Sequence, residues 1–269
     1  YDGRQISLSV EGSSKTQDLV DCAATNRPNQ WQEQPLLSIV QALAMEYSLT
    51  VVNEIPETSR LAKHTIVPGE TVFQSIDRLL SLFRVFSTDD EQGRLVLAKP
   101  GSGGRASDAL ELGKNILSAN AAMDYSQVFS EYRVIGQQKG SDKKSGAAVS
   151  EVESTAADLS FKRRRTTIIN EGTALTFELA QQRAQWESAT RMGRAQTTTY
   201  QVQGWRQANG DLWRHNTLVK VTDPVLGFDG DMLISKVTYS LSAQGSVTTL
   251  QMAPPHTFDA NPSPPKTTS

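Results

Sequence analysis

Acid–base or metal chemistry in this chain would have to come from three histidines, His64, His215 and His256, or from the aspartates of the run DPVLGFDGD, Asp223, Asp229 and Asp231. The histidines are far apart in sequence, and no pair has the spacing that places two ligands on one helix face, so neither zinc binding nor histidine catalysis is supported. A calcium loop needs oxygens at alternating close positions and a distal glutamate. The run lacks that pattern and reads as Asp-Pro and Asp-Gly turns between Leu218–Val221 and Met232–Ile234. The nucleophile elbow, the phosphate-binding loop and the dinucleotide fingerprint are all absent. The expectation is a protein with no catalytic residue, no cofactor and no metal.

Two other segments have the composition of binding sites. His64 to Val72 (HTIVPGETV) followed by a helix resembles the opening of a LysM peptidoglycan-binding module, but a hairpin follows where a second helix is required. Lys162, Arg163, Arg164 and Arg165 form a basic run suited to an anionic partner. Nearby Glu151, Glu153 and Asp158 and the lack of interleaved aromatics weigh against nucleic acid and favour a solvated loop end or an anchor to an acidic neighbouring subunit. Tyr200, Trp205, Trp213 and Tyr239 lie in strand-like sequence and are read as packing residues rather than as a base-stacking platform.

The elements that carry these residues follow from periodicity. Pro35 to Tyr47 places Leu36, Ile39, Val40, Leu43 and Tyr47 at helical spacing, and Glu70 to Phe83 does the same with Val72, Phe73, Ile76, Leu79, Leu80 and Phe83. Leu49–Val52 and a hairpin from Val85 to Ala98, turning at DDEQG, supply strands. Ile6–Val10 alternates as a strand, and a second short strand is expected near Leu19. Residues 137–160 read as a mobile loop. Residues 173–192 are the best helix, with Leu175, Leu179, Trp186 and Ala189 on one face and Gly193 ending it. Gln196 to Met252 is a run of four or five short strands with Gly/Asp/Asn turns.

With 269 residues, 38% apolar and 21% charged, the composition is that of a soluble globular protein with one large or two ordinary domains. The net charge of −2 favours neither nucleic acid nor an acidic membrane. The lone cysteine, Cys22, excludes an intrachain disulfide and is read as a small core residue; no apolar run is long enough to span a bilayer. The chain opens on Tyr1 just before strand-like sequence and is expected to begin inside a longer protein.

The order of several pieces carries a resemblance. DGRQISLSVEGSSKTQDLVDCAA near the start reads as a strand–turn–strand entry. Val67-Pro-Gly-Glu-Thr-Val with Ile76, Leu79 and Leu80, then Asp90 to Leu97, form a helix–hairpin unit. Arg183-Ala184-x-Trp186, Gly204-Trp205 and Gly210-Asp211-Leu212-Trp213 through Asn216, Thr217, Val219 and Val221 come late. Together they resemble the baseplate hub protein of Mu-like contractile-tailed phages and prophages, the phage tail protein P group, related to late control protein D and to the amino-terminal region of type VI spike proteins.

The resemblance implies an α+β, mainly β fold: two β-barrel-like domains with small α+β insertions, the first barrel partly missing here. Residues 1–30 would be the remnant of that barrel, 31–100 a small α+β domain, 101–120 a linker, 121–258 the second barrel and 259–269 an extended tail. Trp186, Gly204, Trp205, Trp213, Val219 and Val221 would build the second barrel's core. The implied function is structural, not enzymatic: a homotrimeric hub in the virion, assembled in the host cytoplasm. It would join the sixfold tail tube to the threefold spike around a channel that DNA crosses without specific binding, and would not insert into membrane. The competing reading is a peptidoglycan- or carbohydrate-binding module of an envelope-penetrating device.

Overall fold

The structure, a computed structural model, describes residues 11–56, 60–137, 151–158, 162–174, 176–243 and 245–262. The expected strand Ile6–Val10 lies outside them. The chain divides into two compact units, Tyr1–Ala98 and Lys99–Ser269.

The first unit runs α1 (Gln17–Asp21), β1 (Gln30–Pro35), α2 (Leu36–Met45), β2 (Val51–Asn53), β3 (Arg60–Thr65), α3 (Val72–Phe83), β4 (Phe86–Asp89) and β5 (Leu95–Ala98). Both long helices form where the periodicity puts them. Helix α2 buries Leu36, Ile39, Val40, Leu43 and Ala44 on one face, with Pro35 as its extended N-cap rather than in its first turn. Helix α3 starts at a capping box, in which the Thr71 hydroxyl accepts from Gln74 N–H at 3.2 Å and Thr71 N–H donates to Gln74 Oε1 at 2.9 Å. It stops at Arg84, in the left-handed region at φ 54°. The buried faces meet Leu95 and Leu97 of β5, a strand buried at all four positions, in one core. Strand β5 pairs antiparallel with β4 as the expected hairpin and parallel with β2, while β1 and β3 pair separately. The strand expected near Leu19 is instead the single helical turn α1, which drops Leu19 alone into that core and leaves Asp18, Val20 and Asp21 outside.

In the second unit come β6 (Leu110–Glu111), β7 (Ile116–Ala121), β8 (Glu131–Gln137), β9 (Glu151–Ala157), β10 (Thr166–Ala174), α4 (Phe177–Ala195), β11 (Thr198–Gln203), β12 (Leu218–Asp223), β13 (Phe228–Ser242), β14 (Gly245–Ala253) and a 3-10 turn, Pro255–Phe258. One six-stranded sheet has the order β6-β12-β13-β14-β11-β7, antiparallel except for the short β12–β6 pair. Its first and last strands do not meet, so it is an open half-barrel rather than a closed barrel. Two of its strands, β6 and β7, come from residues expected to be linker. They lack strong alternation because they are edges: β7 buries no residue fully.

A second, three-stranded sheet has the order β10-β8-β9 and carries α4 on one face. Much of the loop expected at 137–160 falls outside the described residues, but 151–157 is strand β9, antiparallel to β8 from Glu131↔Ala157 to Gln137↔Glu151. Its signal is weak because it faces a helix that lies close. Val152 and Ser154 of β9 are buried and Ala156 is partly buried, while the helix contributes Ala180 and Ala184. The helix face is therefore offset from the expected one: Leu179 is partly buried, Trp186 half-buried and Ala189 exposed, and Leu175 lies outside the described residues. Nor does Gly193 end the helix. It is buried two residues before the end, where Thr257 of the 3-10 turn lies against it. The segment after Pro254 is thus docked, not free, up to the buried Pro262.

Candidate assembly surfaces

The residues screened for chemistry are placed apart and engaged locally. Asp223 is 1% exposed; its Oδ1 accepts from Val225 and Leu226 N–H at 3.0 and 3.1 Å, closing the turn after β12. Its Oδ2 accepts from the buried Tyr200 hydroxyl at 3.2 Å. Burial, then the Asp223 charge, pushes that phenol's pKa well above its usual value. Asp229 pairs with Lys220 and Asp231 with Arg105, both at 2.8 Å. The trio points to three different partners, as hairpin chemistry requires. Among the described residues no group of three His, Cys, Asp or Glu could hold a metal.

His64 sits in the first core, 6% exposed, with Nε2 2.8 Å from Ser75 Oγ. This histidine–serine pair has the atoms of a nucleophile and base, but Ser75 is wholly buried, so no substrate reaches it. Burial lowers the His64 pKa to about 4, with Arg78 adding and Glu70 opposing. The neutral ring is a core group. In the HTIVPGETV segment Glu70 is spent on structure: its Oε1 accepts from Val67 N–H at 2.9 Å and pairs with Arg78 at 2.7 Å. Cys22 is a partly buried free thiol.

The basic run divides. Arg165 turns inward: its guanidinium donates to the Tyr125 and Ser126 carbonyls at 3.1 and 2.6 Å and lies 4.9 Å from the Phe129 ring centroid. Its own carbonyl accepts from Ser130 and Glu131 N–H. Arg165 therefore straps β10 to the start of β8, a role that its sequence position alone does not announce. Lys162, Arg163 and Arg164 are exposed, with Arg164 3.7 Å from Glu131.

The core residues expected of the late strands are equally divided. Trp213, Val219 and Val221 are buried with Tyr200, Met232, Ile234, Leu250 and Met252 under the half-barrel. Gly204 supplies a turn at φ 76°, its carbonyl accepting from the Thr248 hydroxyl at 2.6 Å. Trp186 belongs to the other sheet's helix, donating Nε1–H to the Asp259 carbonyl at 2.6 Å beneath the Arg183 guanidinium. Trp205 is not core: it is 37% exposed. Its ring meets Tyr239 edge-on at 6.1 Å, and its Nε1–H donates to the Ser240 carbonyl at 3.1 Å.

That rim has a simple origin. Strand β13 is 15 residues long and bulges between Ile234 and Lys236. Beyond the bulge its core-facing parity continues through Val237 to Tyr239 and Leu241, while the core ends near Val237. Tyr239 is 41% and Leu241 72% exposed. Alternation in the sequence marks the strand but not the point where burial stops, so nothing in the sequence sets Leu241 apart from a core residue.

Known proteins match both units. Residues 16–99 fit the second domain of gp44-like baseplate hub proteins. Residues 176–261 fit the fourth domain of the Mu phage baseplate assembly protein GpP. The chain is 32% identical over 263 residues to baseplate hub protein gp44 of Escherichia phage Mu, covering 94% of this chain and 69% of that one. The crystal structure of the 43 kDa tail protein of prophage MuSo2 from Shewanella oneidensis aligns with a TM-score of 0.76 at 28% identity, over 91% of this chain and 71% of that one. A tail protein from Neisseria meningitidis MC58 shares the fold at 22% identity, TM-score 0.68, over 91% and 74% of the two chains.

Proposed function

Because this chain belongs to the Mu-type baseplate hub family, structural and non-enzymatic proteins of the virion tail baseplate, we propose that it acts as a homotrimeric hub joining the sixfold tail tube to the threefold spike around a central channel for the genome. The observation that carries this reading is that family matches fall in both units and in hub order. The open half-barrel supports it physically. A sheet with two unjoined edges is a liability in a free monomer and an asset where neighbouring copies cover it. A closed ring of copies uses head-to-tail contacts, which take up surface and need no catalytic cleft.

In this reading the unit that ends at Ala98, with the shared core of α1, α2, α3 and β5, is the α+β part of the hub, and the six-stranded half-barrel, β6 and β7 included, is its barrel part. Exposed Lys162, Arg163 and Arg164 contact an acidic neighbour, and DNA passes without specific binding. Mass photometry at micromolar concentration tests the reading. The expected particle has about three times the 29.4 kDa chain mass, and a purely monomeric population refutes it.

A further inference from the structure

Two exposed surfaces of this chain are unlike in charge and alike in apolarity. The first is the rim of the half-barrel, where the Trp205 and Tyr239 rings meet and Leu241 follows two residues on along the same strand, at 37, 41 and 72% exposure. It is held rigidly. Trp205 is bonded to Ser240, and the Tyr239 hydroxyl donates to the Trp213 carbonyl. Exposed Arg206 and Arg214 each follow a tryptophan, Trp205 and Trp213, on the Gly204–Thr217 loop, where Arg206 donates to the Gly210 carbonyl at 2.8 Å and Asp211 accepts from Asn209 at 2.7 Å. Preordered aromatics with arginine at the edge are the composition of interface hot spots.

The second surface lies on the first unit, where α1 leaves Val20 45% exposed between Asp18 and Asp21. The end of α2 leaves Met45 72% exposed beside Glu46. The two helix ends are tied together. Tyr47 donates its hydroxyl to the Ala23 carbonyl at 2.7 Å, and Thr25 donates to Glu46 at 3.0 Å. The same polarity holds at larger scale: residues 1–98 carry 8 Lys+Arg against 13 Asp+Glu, and residues 99–269 carry 19 against 16. Opposite fields on two different surfaces steer unlike faces together and hold like faces apart.

We propose that the Trp205–Tyr239–Leu241 surface of one copy docks on the Val20–Met45 surface of a second copy, with Arg206 and Arg214 meeting Asp18, Asp21 and Glu46. The apolar residues supply the desolvated centre and the charges the polar rim. The contact joins different surfaces of different copies, so it is heterologous and propagates until it closes. It deepens the homotrimer reading and rests on it.

The test uses the full chain and three substitutions at exposed positions, Leu241→Glu, Met45→Glu and Arg206→Glu, each checked for an unchanged far-ultraviolet circular dichroism spectrum, since loss of a subunit contact by itself lowers the melting temperature. Oligomer mass is read by mass photometry and by light scattering across a dilution series. Each variant is expected to raise the dissociation constant by about tenfold or more. Mixing Leu241→Glu with Met45→Glu restores one intact contact and gives dimers, because each variant keeps the half that the other lost. Adding Glu46→Arg to Arg206→Glu restores the wild-type oligomer. A wild-type trimer that all three variants leave intact overturns the docking and leaves the trimer standing. Dissociation by only one of the Leu241 and Met45 changes, or no dimer on mixing, overturns the pairing of these two surfaces. A monomeric wild type overturns the docking and the trimer together.

Discussion

Replacing Gly193 by alanine puts the packing of α4 to a test whose sign is decisive. At an open helical position the change stabilises a protein by about 1 kcal/mol, since glycine is a poor helix former. Here the new methyl would sit 2.8 Å from Thr257 Cβ and 3.2 Å from its Cα, with the Thr257 hydroxyl closer still. Those atoms belong to the branch point and backbone of a residue only 8% exposed, so no rotamer change clears them. Overpacking of this kind costs about 1–3 kcal/mol, which outweighs the propensity gain. The 3-10 turn must lift from the helix, and the Trp186–Asp259 hydrogen bond goes with it. A net loss of about 1–2 kcal/mol is expected, or a drop of about 2–8 °C in the melting temperature for a unit of this size. Thermal unfolding followed by tryptophan fluorescence reads both effects. In the background of Thr257→Gly the hydroxyl and Cβ contacts are gone and only the Cα at 3.2 Å is left against the methyl, so the same alanine costs less, a coupling of about 1–2 kcal/mol. A Gly193→Ala chain that melts higher than the wild type refutes the close approach.

Two further outcomes rest on buried groups. The His64 pKa in the folded chain, about 4, lies below its unfolded value of about 6.5, so the unfolded chain binds the proton first. The stability of the first unit is complete above about pH 6.5 and is lost as pH falls toward 4, by up to about 3 kcal/mol; denaturant titrations of wild type and His64→Gln across that range check this, and equal slopes in the two chains count against it. Arg183 is 12% exposed and pairs with Glu171 at 2.8 Å and with Glu187, both similarly buried. Arg183→Met removes a buried charge that two carboxylates share, of which Glu187 keeps Arg191 at 2.6 Å, so a loss of about 3 kcal/mol is expected in urea unfolding, and a loss under about 1 kcal/mol would show that the pairing adds nothing.

What the sequence made legible is what neighbours along the chain decide. Helices α2 and α3 and the β4–β5 hairpin announce themselves because a helix face repeats every three or four residues and a turn is written in its own residues. The lack of a catalytic motif is equally local, since such motifs are spacings along the chain. The order of motifs carried the family, since order survives when single residues do not.

Other features depend on residues that meet only after folding. Strand β9 is polar and small because an alanine face of α4 covers it, and its pairing with β8 spans the sequence expected to be a loop. Parallel partners, β8 with β10 and β2 with β5, have no signature in either strand alone. Arg165 and Arg164 are adjacent and chemically identical, yet one straps a strand from within while the other faces outward; only the position of the Tyr125 and Ser126 carbonyls separates them. Trp213 and Trp205 differ in the same way: both lie in the half-barrel, but the core ends between them. The sequence alone therefore determined where the three long helices and the β4–β5 hairpin lie, that it carries no catalytic motif, and which family it resembles. The tertiary structure decided which apolar residues are left over at the surface, because burial is a property of how much chain arrives from elsewhere to cover a face, and the surface left uncovered is what remains for a neighbour to bind.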